Sequence, residues 1–307
     1  ELTKAQSRCI QEINEDVSSP QPMLRLLQGD VGSGKTIVAV FALIQAVANN
    51  FQTVVMAPTE ILALQHLQNF SNYLNPLGIK VAFLVGSQNT QERKEQLSLI
   101  KTGKAQVVIG THALFQENVS FDNLALVVID EQHKFGVHQR LALAQKANMT
   151  PHQLVMTATP IPRSLTMTAY ADLDSSIIDE LPPGRQKIET VALSNLRRDE
   201  LITKIKKISQ VGRQIYWVCT LIEESEALRA ESAEKTFTYL SNNLEDEKVV
   251  MIHGRLNKTE KETIMKDFSN GKIDLLVATT VIEVGVNVPN ASLMVVENAE
   301  RLGLAQL

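Results

Sequence analysis

An eight-residue stretch near the start of the chain has the residue types of a phosphate-binding loop. Residues 29–36 read Gly-Asp-Val-Gly-Ser-Gly-Lys-Thr and fit the pattern G-x-x-x-x-G-K-T, between two apolar runs. Glycines let successive backbone N–H groups surround a phosphate, and a helix that starts here directs its positive dipole end toward the same point. The lysine side chain would reach the β- and γ-phosphates, and the threonine hydroxyl would hold Mg²⁺. The stretch predicts an ATP and Mg²⁺ site made by Gly29, Gly32, Ser33, Gly34, Lys35 and Thr36.

Two adjacent carboxylates, Asp130 and Glu131, follow an apolar run that reads as a strand. The first carboxylate can complete the coordination of Mg²⁺ across from Thr36, and the second can orient and deprotonate the attacking water. An isolated Asp-Glu pair is more often a solvated strand end, but a phosphate loop upstream favours phosphoryl transfer. We therefore predict that Lys35, Asp130 and Glu131 are catalytic and that Thr36 and Asp130 hold the metal ion.

Other candidates are less specific. Gln132 and His133 follow the two carboxylates, and His133 could contact the turn at residues 157–159 and relay the nucleotide state, although a lone histidine is more often structural. Gln6 either forms a capping box with Thr3 or reads an adenine edge, and both interpretations stay open. Strand-end residues could bind a phosphate backbone, or could belong to ordinary turns: His112, His253, Thr279, Thr280 and Gly285. The remaining histidines are predicted to be surface or packing residues: His66, His138 and His152.

The elements that must position these residues alternate along the chain. In the first half, strands are predicted at 53–57, 80–85, 106–110, 125–129 and 153–157, and helices at 60–74, 90–101 and 137–147. A Pro-Pro-Gly break at 182–184 ends this half. In the second half, strands are predicted at 188–193, 214–219, 249–253, 274–278 and 293–297, and helices at 196–210, 223–240 and 258–269. The alternation predicts an α/β chain with domains 1–183 and 184–307, each a mostly parallel sheet with helices on both faces and ligands at the strands' carboxyl ends.

The bulk composition limits the possible partners. The chain has 307 residues, is 44% hydrophobic and carries a net charge of −4, and neither half is basic. A nucleic acid would therefore be bound by a local groove rather than by a global field. No apolar run approaches the length of a membrane span, so we expect a cytoplasmic protein. Cys9 and Cys219 have no metal-ligand spacing and are predicted to be buried, reduced thiols.

Taken together, these residues resemble superfamily 2 nucleic-acid helicases. Seven blocks match in order, and the stretches at 130–137, 157–163 and 297–307 resemble the RecG family of branch-migration helicases. The resemblance implies two RecA-like lobes, the first with the P-loop NTPase fold, with ATP between them and DNA across both. It implies a monomeric, nucleoid-associated motor that acts on branched DNA in fork reversal and Holliday junction branch migration, in repair and recombination.

The resemblance also assigns roles residue by residue. It implies that Gln6 binds adenine and that Gly285 and Asn287 contact the nucleotide. It also implies that four residues couple ATP hydrolysis to motion: Gln132, His133, Thr157 and Thr159. Asn287 stands where relatives commonly have Asp. The residues that match DNA-backbone blocks are Thr59, Gly86, Thr111, Arg255, Thr279 and Thr280, and we add His112 from its strand-end position. Such contacts read no bases, so binding should be sequence-tolerant and salt-sensitive.

Two features of the family lie outside residues 1–307. RecG proteins carry a fork-recognising wedge domain before the motor, and the arginine-finger block follows the Ala-Gln-Leu ending. Since an arginine finger contributes roughly 10³–10⁵ in rate, we expect residues 1–307 alone to hydrolyse ATP poorly. The alternatives are an Mfd-like translocase of transcription-coupled repair, a nucleotide-gated DNA-binding module that does not hydrolyse ATP, and a small-molecule kinase.

Overall fold

The structure is a computed structural model of the chain. It describes residues 1–131, 146–147, 149–158, 173–180, 188–220, 226–279, 288 and 290–302. The chain divides into two compact units, Glu1–Gln186 and Lys187–Leu307. Each unit contains a parallel sheet with helices between its strands, so the predicted α/β class is confirmed. The predicted Pro-Pro-Gly break lies outside the described residues.

The first unit alternates helices and strands from its start. Its described elements are α1 Lys4–Val17, β1 Leu24–Gly29, α2 Lys35–Ala48, β2 Gln52–Met56, α3 Glu60–Leu74, β3 Val81–Leu84, α4 Thr90–Lys101, β4 Val107–Gly110, β5 Leu124–Asp130, β6 His152–Thr157 and β7 Asp174–Ile178. These seven strands are parallel and lie in the order β3-β4-β2-β5-β6-β1-β7.

Apolar strands and capped helices explain this layout. Strands β2 and β4 are buried at every residue, as expected for a parallel sheet covered on both faces. The helices predicted at 60–74 and 90–101 are confirmed residue for residue, because Thr59 and Asn89 each accept a backbone hydrogen bond in the first turn.

The second unit repeats the pattern with fewer strands. Its described elements are α5 Arg198–Gln210, β8 Gln214–Cys219, α6 Glu226–Asn243, β9 Val249–Ile252, α7 Lys258–Ser269, β10 Leu275–Thr279 and β11 Ala291–Glu297. The four described strands are parallel in the order β11-β8-β10-β9. Trp217 on β8 and Phe268 on α7 are fully buried and fill the core on this sheet.

Two predicted elements differ from the structure or lie beyond it, and one observed strand has no counterpart in the prediction. The strand predicted at 188–193 is wrong: this segment is irregular and its apolar side chains are exposed, although it contains β-branched residues that are common in strands. Strand β7 was not predicted, since its sequence Asp-Ser-Ser-Ile-Ile is too polar and short to stand out. Most of the helix predicted at 137–147 lies outside the described residues.

Both cysteines are buried and free. Burial disfavours the thiolate, which raises the pKa of Cys9 to about 11 and that of Cys219 to about 12. The prediction of buried, reduced thiols is therefore confirmed. Within the residues that the structure describes, no helix is long and apolar enough to cross a membrane.

A buried glutamine amide stabilises the start of one central strand in each unit. The Gln52 amide nitrogen donates to the carbonyls of Ile100 (2.9 Å) and Ala105 (2.8 Å). Its oxygen accepts from the backbone N–H groups of Asp122 (2.7 Å) and Asn123 (3.2 Å). One side chain thus joins the starts of β2 and β5 to the end of α4.

The same device recurs in the second unit. At the start of β8, the Gln214 amide nitrogen donates to the carbonyls of Phe268 (2.6 Å) and Ile273 (2.7 Å). Each glutamine adds hydrogen bonds to buried backbone groups, of which the Ile100 and Phe268 carbonyls also accept from Gly103 and Gly271.

Replacing Gln52 by leucine should destabilise the first unit strongly. Gln52→Leu keeps the buried volume but leaves the Ala105 carbonyl and two N–H groups without the Gln52 amide, while the Ile100 carbonyl keeps its bond from Gly103. The free energy of unfolding should therefore fall by about 3 kcal/mol or more. Urea denaturation followed by circular dichroism measures the change. The matched control is Gln68→Leu on the exposed face of α3, for which a change within about 0.5 kcal/mol is expected. Equal stabilities for the two variants would contradict the role of the Gln52 amide.

Candidate functional site

The predicted phosphate loop joins β1 to α2. Gly32 and Gly34 have positive φ angles of 76° and 92°, in the left-handed region that glycine adopts without strain. Gly34 is the N-cap of α2, and no side chain caps the helix. The first N–H groups of α2 therefore point into the loop without a side-chain acceptor, which is the arrangement that binds an anion at a helix start.

Lys35 and Ser33 line the inside of this loop. The Lys35 ammonium donates to the carbonyls of Gly29 (2.6 Å) and Asp30 (3.0 Å), which holds it across the loop. The Ser33 hydroxyl is buried and has no hydrogen-bond partner among the described residues. A Cβ atom on Gly29 would lie 2.5 Å from that hydroxyl, so a side chain at position 29 would close the cradle.

Gln6 reaches the loop from α1. Thr3 and Gln6 form the predicted capping box: the Gln6 amide oxygen accepts from the Thr3 N–H at 3.0 Å, and the Thr3 hydroxyl accepts from the Gln6 N–H at 3.2 Å. The amide nitrogen of Gln6 donates to the Ser33 carbonyl at 2.9 Å. The capping interpretation is therefore confirmed, and the adenine contact stays a prediction, for which the Gln6 amide keeps one N–H and one oxygen lone pair beyond these two bonds.

The register of the sheet brings the two carboxylates to the same edge as the loop. Asp130 on β5 pairs with Met156 on β6, and Thr157 on β6 pairs with Gln28 on β1. One strand separates β5 from β1, so Asp130 lies two strand spacings, roughly 10 Å, from the loop strand.

His66, for which the sequence predicts only a surface or packing role, makes a direct contact with Asp130. The His66 Nε2 atom lies 2.7 Å from Asp130 Oδ2, and the two side chains are only 9% and 14% exposed. Its ring also packs against Phe70, with the ring centroids 5.7 Å apart. His66 shares the buried face of α3 with Leu62 and Phe70 at four-residue spacing. That spacing is the signal in the sequence that could have identified a buried histidine here.

Glu131 has an unusual backbone for a residue with a side chain. Its φ is 51°, and its N–H donates to the Met156 carbonyl at 3.0 Å, which extends the ladder one residue beyond β5. Its carboxylate is buried and accepts from the Ala158 N–H at 3.4 Å. Left-handed φ at a non-glycine residue is strained and is concentrated at functional sites. Thr157, one of the predicted coupling residues, is buried in β6 immediately before Ala158.

The predicted DNA-contact residues of the first unit follow β2, β3 and β4 at this edge. Thr59 is the N-cap of α3, and Glu60 accepts a 2.6 Å hydrogen bond from Ser87 beside Gly86. His112 is exposed, whereas Thr111 is 1% exposed and its hydroxyl has no partner among the described residues. A phosphate could reach the Thr111 hydroxyl only after its neighbours move.

The second unit shows part of its predicted site. Arg255 is exposed in the turn after β9, and Thr279 ends β10 with a buried hydroxyl that has no partner within the described residues. His253, between β9 and that turn, is half-buried. Six predicted site residues lie outside the described residues: Gln132, His133, Thr159, Thr280, Gly285 and Asn287.

Oxygen ligands at the first-unit site fit a magnesium ion. Thr36 supplies a hydroxyl in the first turn of α2, and Asp130 supplies a carboxylate at a strand end. Mg²⁺ binds through one or two such groups together with substrate phosphates. Across the described part of the chain, no group of three or more His, Cys, Asp or Glu side chains could hold a metal ion. Thr36 and Asp130 therefore fit a metal ion that is held together with nucleotide phosphates.

Comparison with known proteins identifies the family. Residues 3–168 match the DEAD/DEAH box helicase family, and residues 198–305 match the helicase conserved C-terminal domain. The chain is 56% identical over 309 aligned residues to the ATP-dependent DNA helicase RecG of Escherichia coli O157:H7, covering 99% of this chain and 45% of that protein. It is 48% identical to the RecG of Aquifex aeolicus, covering 100% of this chain and 39% of the relative. The chain thus spans less than half the length of these relatives.

Solved structures agree with the sequence matches. A structure of RecG bound to a three-way DNA junction has a TM-score of 0.85 and 43% identity, covering all of this chain and 40% of that one. The Mycobacterium smegmatis helicase Lhr bound to single-stranded DNA has a TM-score of 0.65 at 17% identity, covering 96% of this chain and 42% of that one, and shows the fold alone. The predicted fold of two RecA-like lobes is confirmed, and the Mfd-like alternative is not favoured. The chain therefore belongs to the DEAD/DEAH box helicase family, with RecG as the relative that its sequence and fold resemble.

Proposed function

We propose that this chain is the ATP-driven motor of a DNA helicase that remodels branched DNA, as in fork reversal and branch migration. The observation that carries the proposal is the strand-edge arrangement of the first unit. A glycine cradle with Lys35 lies on one side of β6, and Asp130 with Glu131 lies on the other. The similarity to RecG supports branched DNA as the substrate and ATP as the fuel.

In this proposal the phosphate loop binds and orients the triphosphate. The N–H groups at the start of α2 and the Lys35 ammonium, which now contacts the Gly29 and Asp30 carbonyls, turn to the phosphate oxygens. Mg²⁺ would neutralise charge on the phosphates when bound, and Thr36 and Asp130 are the residues that would hold it. Gln6 would hold the adenine, and Gly285 and Asn287 are further proposed contacts to the nucleotide.

Glu131 is the general base of the proposed reaction. Its strained backbone directs a buried carboxylate toward the strand edge, and the Ala158 N–H fixes one of its oxygens. A carboxylate held in this way can orient a water molecule and accept its proton as the water attacks the terminal phosphate. Its contact with residue 158, between Thr157 and Thr159, offers a route by which Gln132, His133 and these threonines couple hydrolysis to motion.

The proposed DNA contacts read the backbone and not the bases. The residues proposed to bind phosphates are glycine, threonines, a histidine and an arginine, all suited to that contact. They are Thr59, Gly86, Thr111 and His112 in domain 1–183, and Arg255, Thr279 and Thr280 in domain 184–307. Binding should therefore be independent of sequence and weaken with salt. We propose a monomeric motor that works on the bacterial nucleoid in the cytoplasm.

Removing the proposed base should stop hydrolysis without stopping binding. In the full-length protein, Glu131→Gln should lower ATP turnover on a three-way DNA junction by at least about 100-fold, because the amide cannot accept the proton from water. A fluorescent ATP analogue should still bind. Lys35→Ala should instead weaken nucleotide binding, since it removes the charge that holds the phosphates.

The matched control is Glu117→Gln at an exposed position of the same unit, which should leave turnover unchanged. Normal DNA-stimulated turnover by Glu131→Gln would contradict the motor and favour a nucleotide-gated binding module. Turnover that DNA does not affect in the wild type would favour a kinase-like enzyme instead.

Gly34 should tolerate no side chain. A Cβ atom there would lie 2.2 Å from Gln6 Nε2 on a backbone with φ of 92°. Gly34→Ala should therefore break the contact between Gln6 and Ser33 and weaken ATP binding by at least about 10-fold, a cost of 1.4 kcal/mol or more. Gly78→Ala separates backbone strain from the steric clash, because φ at position 78 is also positive, at 72°, and nothing lies within 4 Å of the new methyl group. The control should lose about 1 kcal/mol of stability and keep its ATP affinity; similar ATP affinities for the two variants would refute the steric argument.

A further inference from the structure

We propose that His66 is a positioning residue that links the DNA-facing start of α3 to the metal-binding carboxylate of Asp130. The inference rests on the proposed function and adds a residue to it. His66 would hold Asp130 in the orientation that serves the metal ion, and it would transmit displacement of α3 to that carboxylate.

The hydrogen bond itself is the first step of the argument. An ionised carboxylate only accepts hydrogen bonds, so the His66 Nε2 atom carries the hydrogen in the 2.7 Å contact with Asp130 Oδ2. With both side chains largely buried, this bond fixes the carboxylate rotamer and leaves Oδ1 to serve a metal ion. Outer partners that orient a metal ligand in this way typically change metal affinity by 10- to 100-fold when removed.

The surroundings of His66 show that packing alone does not account for the ring. Its neighbours on the buried face of α3 are apolar: Leu62, Ala63, Phe70 and Leu74. A polar ring among them carries a desolvation cost that only a hydrogen bond offsets. Its second nitrogen, Nδ1, is buried and has no partner among the described residues, so the bond to Asp130 is the one that the described structure provides.

The second step is the helix that carries His66. Its N-cap is Thr59, a predicted contact to the DNA backbone, and Glu60 in its first turn bonds Ser87 at 2.6 Å in the loop after β3. His66 lies six residues beyond Glu60, about 9 Å along the same helix axis. Because an α-helix of this length moves as a rigid element, displacement of its start by a DNA backbone would carry the His66 ring with it. The DNA edge and the metal carboxylate are thus joined by one helix and one hydrogen bond.

The test uses the full-length protein with three substitutions. His66→Leu fills the space without a donor, and His66→Gln places an amide N–H close to the position of Nε2. Phe70→Leu is the matched control, because it disturbs the packing against the His66 ring and leaves the Nε2 donor in place. Two ratios are measured: the affinity for a fluorescent ADP in Mg²⁺ relative to EDTA, and ATP turnover with a three-way junction relative to no DNA.

His66→Leu should lose at least about 10-fold in the Mg²⁺-dependent gain of ADP affinity, while its affinity in EDTA stays at the wild-type value. Its stimulation by DNA should fall more than its basal turnover. His66→Gln should recover most of both ratios. Phe70→Leu should lower the melting temperature and change neither ratio. If His66→Leu fails to fold, His66→Asn takes its place, because its shorter amide is polar but cannot reach Oδ2.

The proposal is overturned if the donor-free variant keeps both ratios, if it changes them no more than Phe70→Leu does, or if His66→Gln behaves like His66→Leu. Failure of the proposed function has a different signature. In that case the wild-type protein itself would show no turnover that a DNA junction stimulates, whatever residue occupies position 66.

Discussion

The backbone path through Gly34 is the constraint on which the first unit's site depends. Its left-handed φ and missing Cβ let the Gln6 amide approach to 2.9 Å from the Ser33 carbonyl, a position that any side chain at 34 would occupy. This contact joins the phosphate loop to α1. Helix α1 is joined in turn to the segment after β7, where the Ala5 N–H donates to Glu180 at 3.1 Å. This contact acts together with the apolar core shared by α1 and α2 and with the Arg8 bond to Asp179, and these interactions connect the nucleotide loop to the first helix and to the last described part of the unit.

On the other side of the site, Glu131 has a left-handed backbone conformation like that of the loop glycines, although it has a side chain. The hydrogen bond from its N–H to the Met156 carbonyl stabilises this conformation. A relaxed backbone would continue the strand and alternate the next side chain to the other face of the sheet. The extra ladder bond instead turns the Glu131 carboxylate toward Ala158, at the end of the neighbouring strand. The energetic cost of this conformation is of order 1–3 kcal/mol, and it is consistent with a residue whose position matters more than its stability.

Sequence patterns located the loop, the two carboxylates and most strands, because each of these depends on local spacing. They could not locate features that depend on tertiary contacts. Strand β7 is polar, and its buried Ser176 is accommodated because its hydroxyl accepts from Arg25 at 3.0 Å and donates to Glu12. The segment at 188–193 contains β-branched residues typical of a strand, but it has no pairing partner among the described residues. His66 was assigned to surface or packing because nothing in the local sequence shows that β5 ends beside α3.

Both units place a carboxylate at the end of a strand, Asp130 in the first unit and Glu297 in the second. The two carboxylates differ in how many hydrogen-bond partners they have. Glu297, which ends β11, binds Arg198 at 2.9 Å and also accepts from Trp217 and Thr236, each at 3.2 Å. The Arg198 guanidinium in turn lies over the rings of Trp217 and Tyr239. A carboxylate with this many partners is a structural anchor, since moving it would leave several buried groups unpaired. Among the residues that the structure describes, Asp130 is held by His66 alone. One hydrogen bond fixes its direction and leaves acceptor capacity for a metal ion, which is the condition that a working carboxylate has to meet.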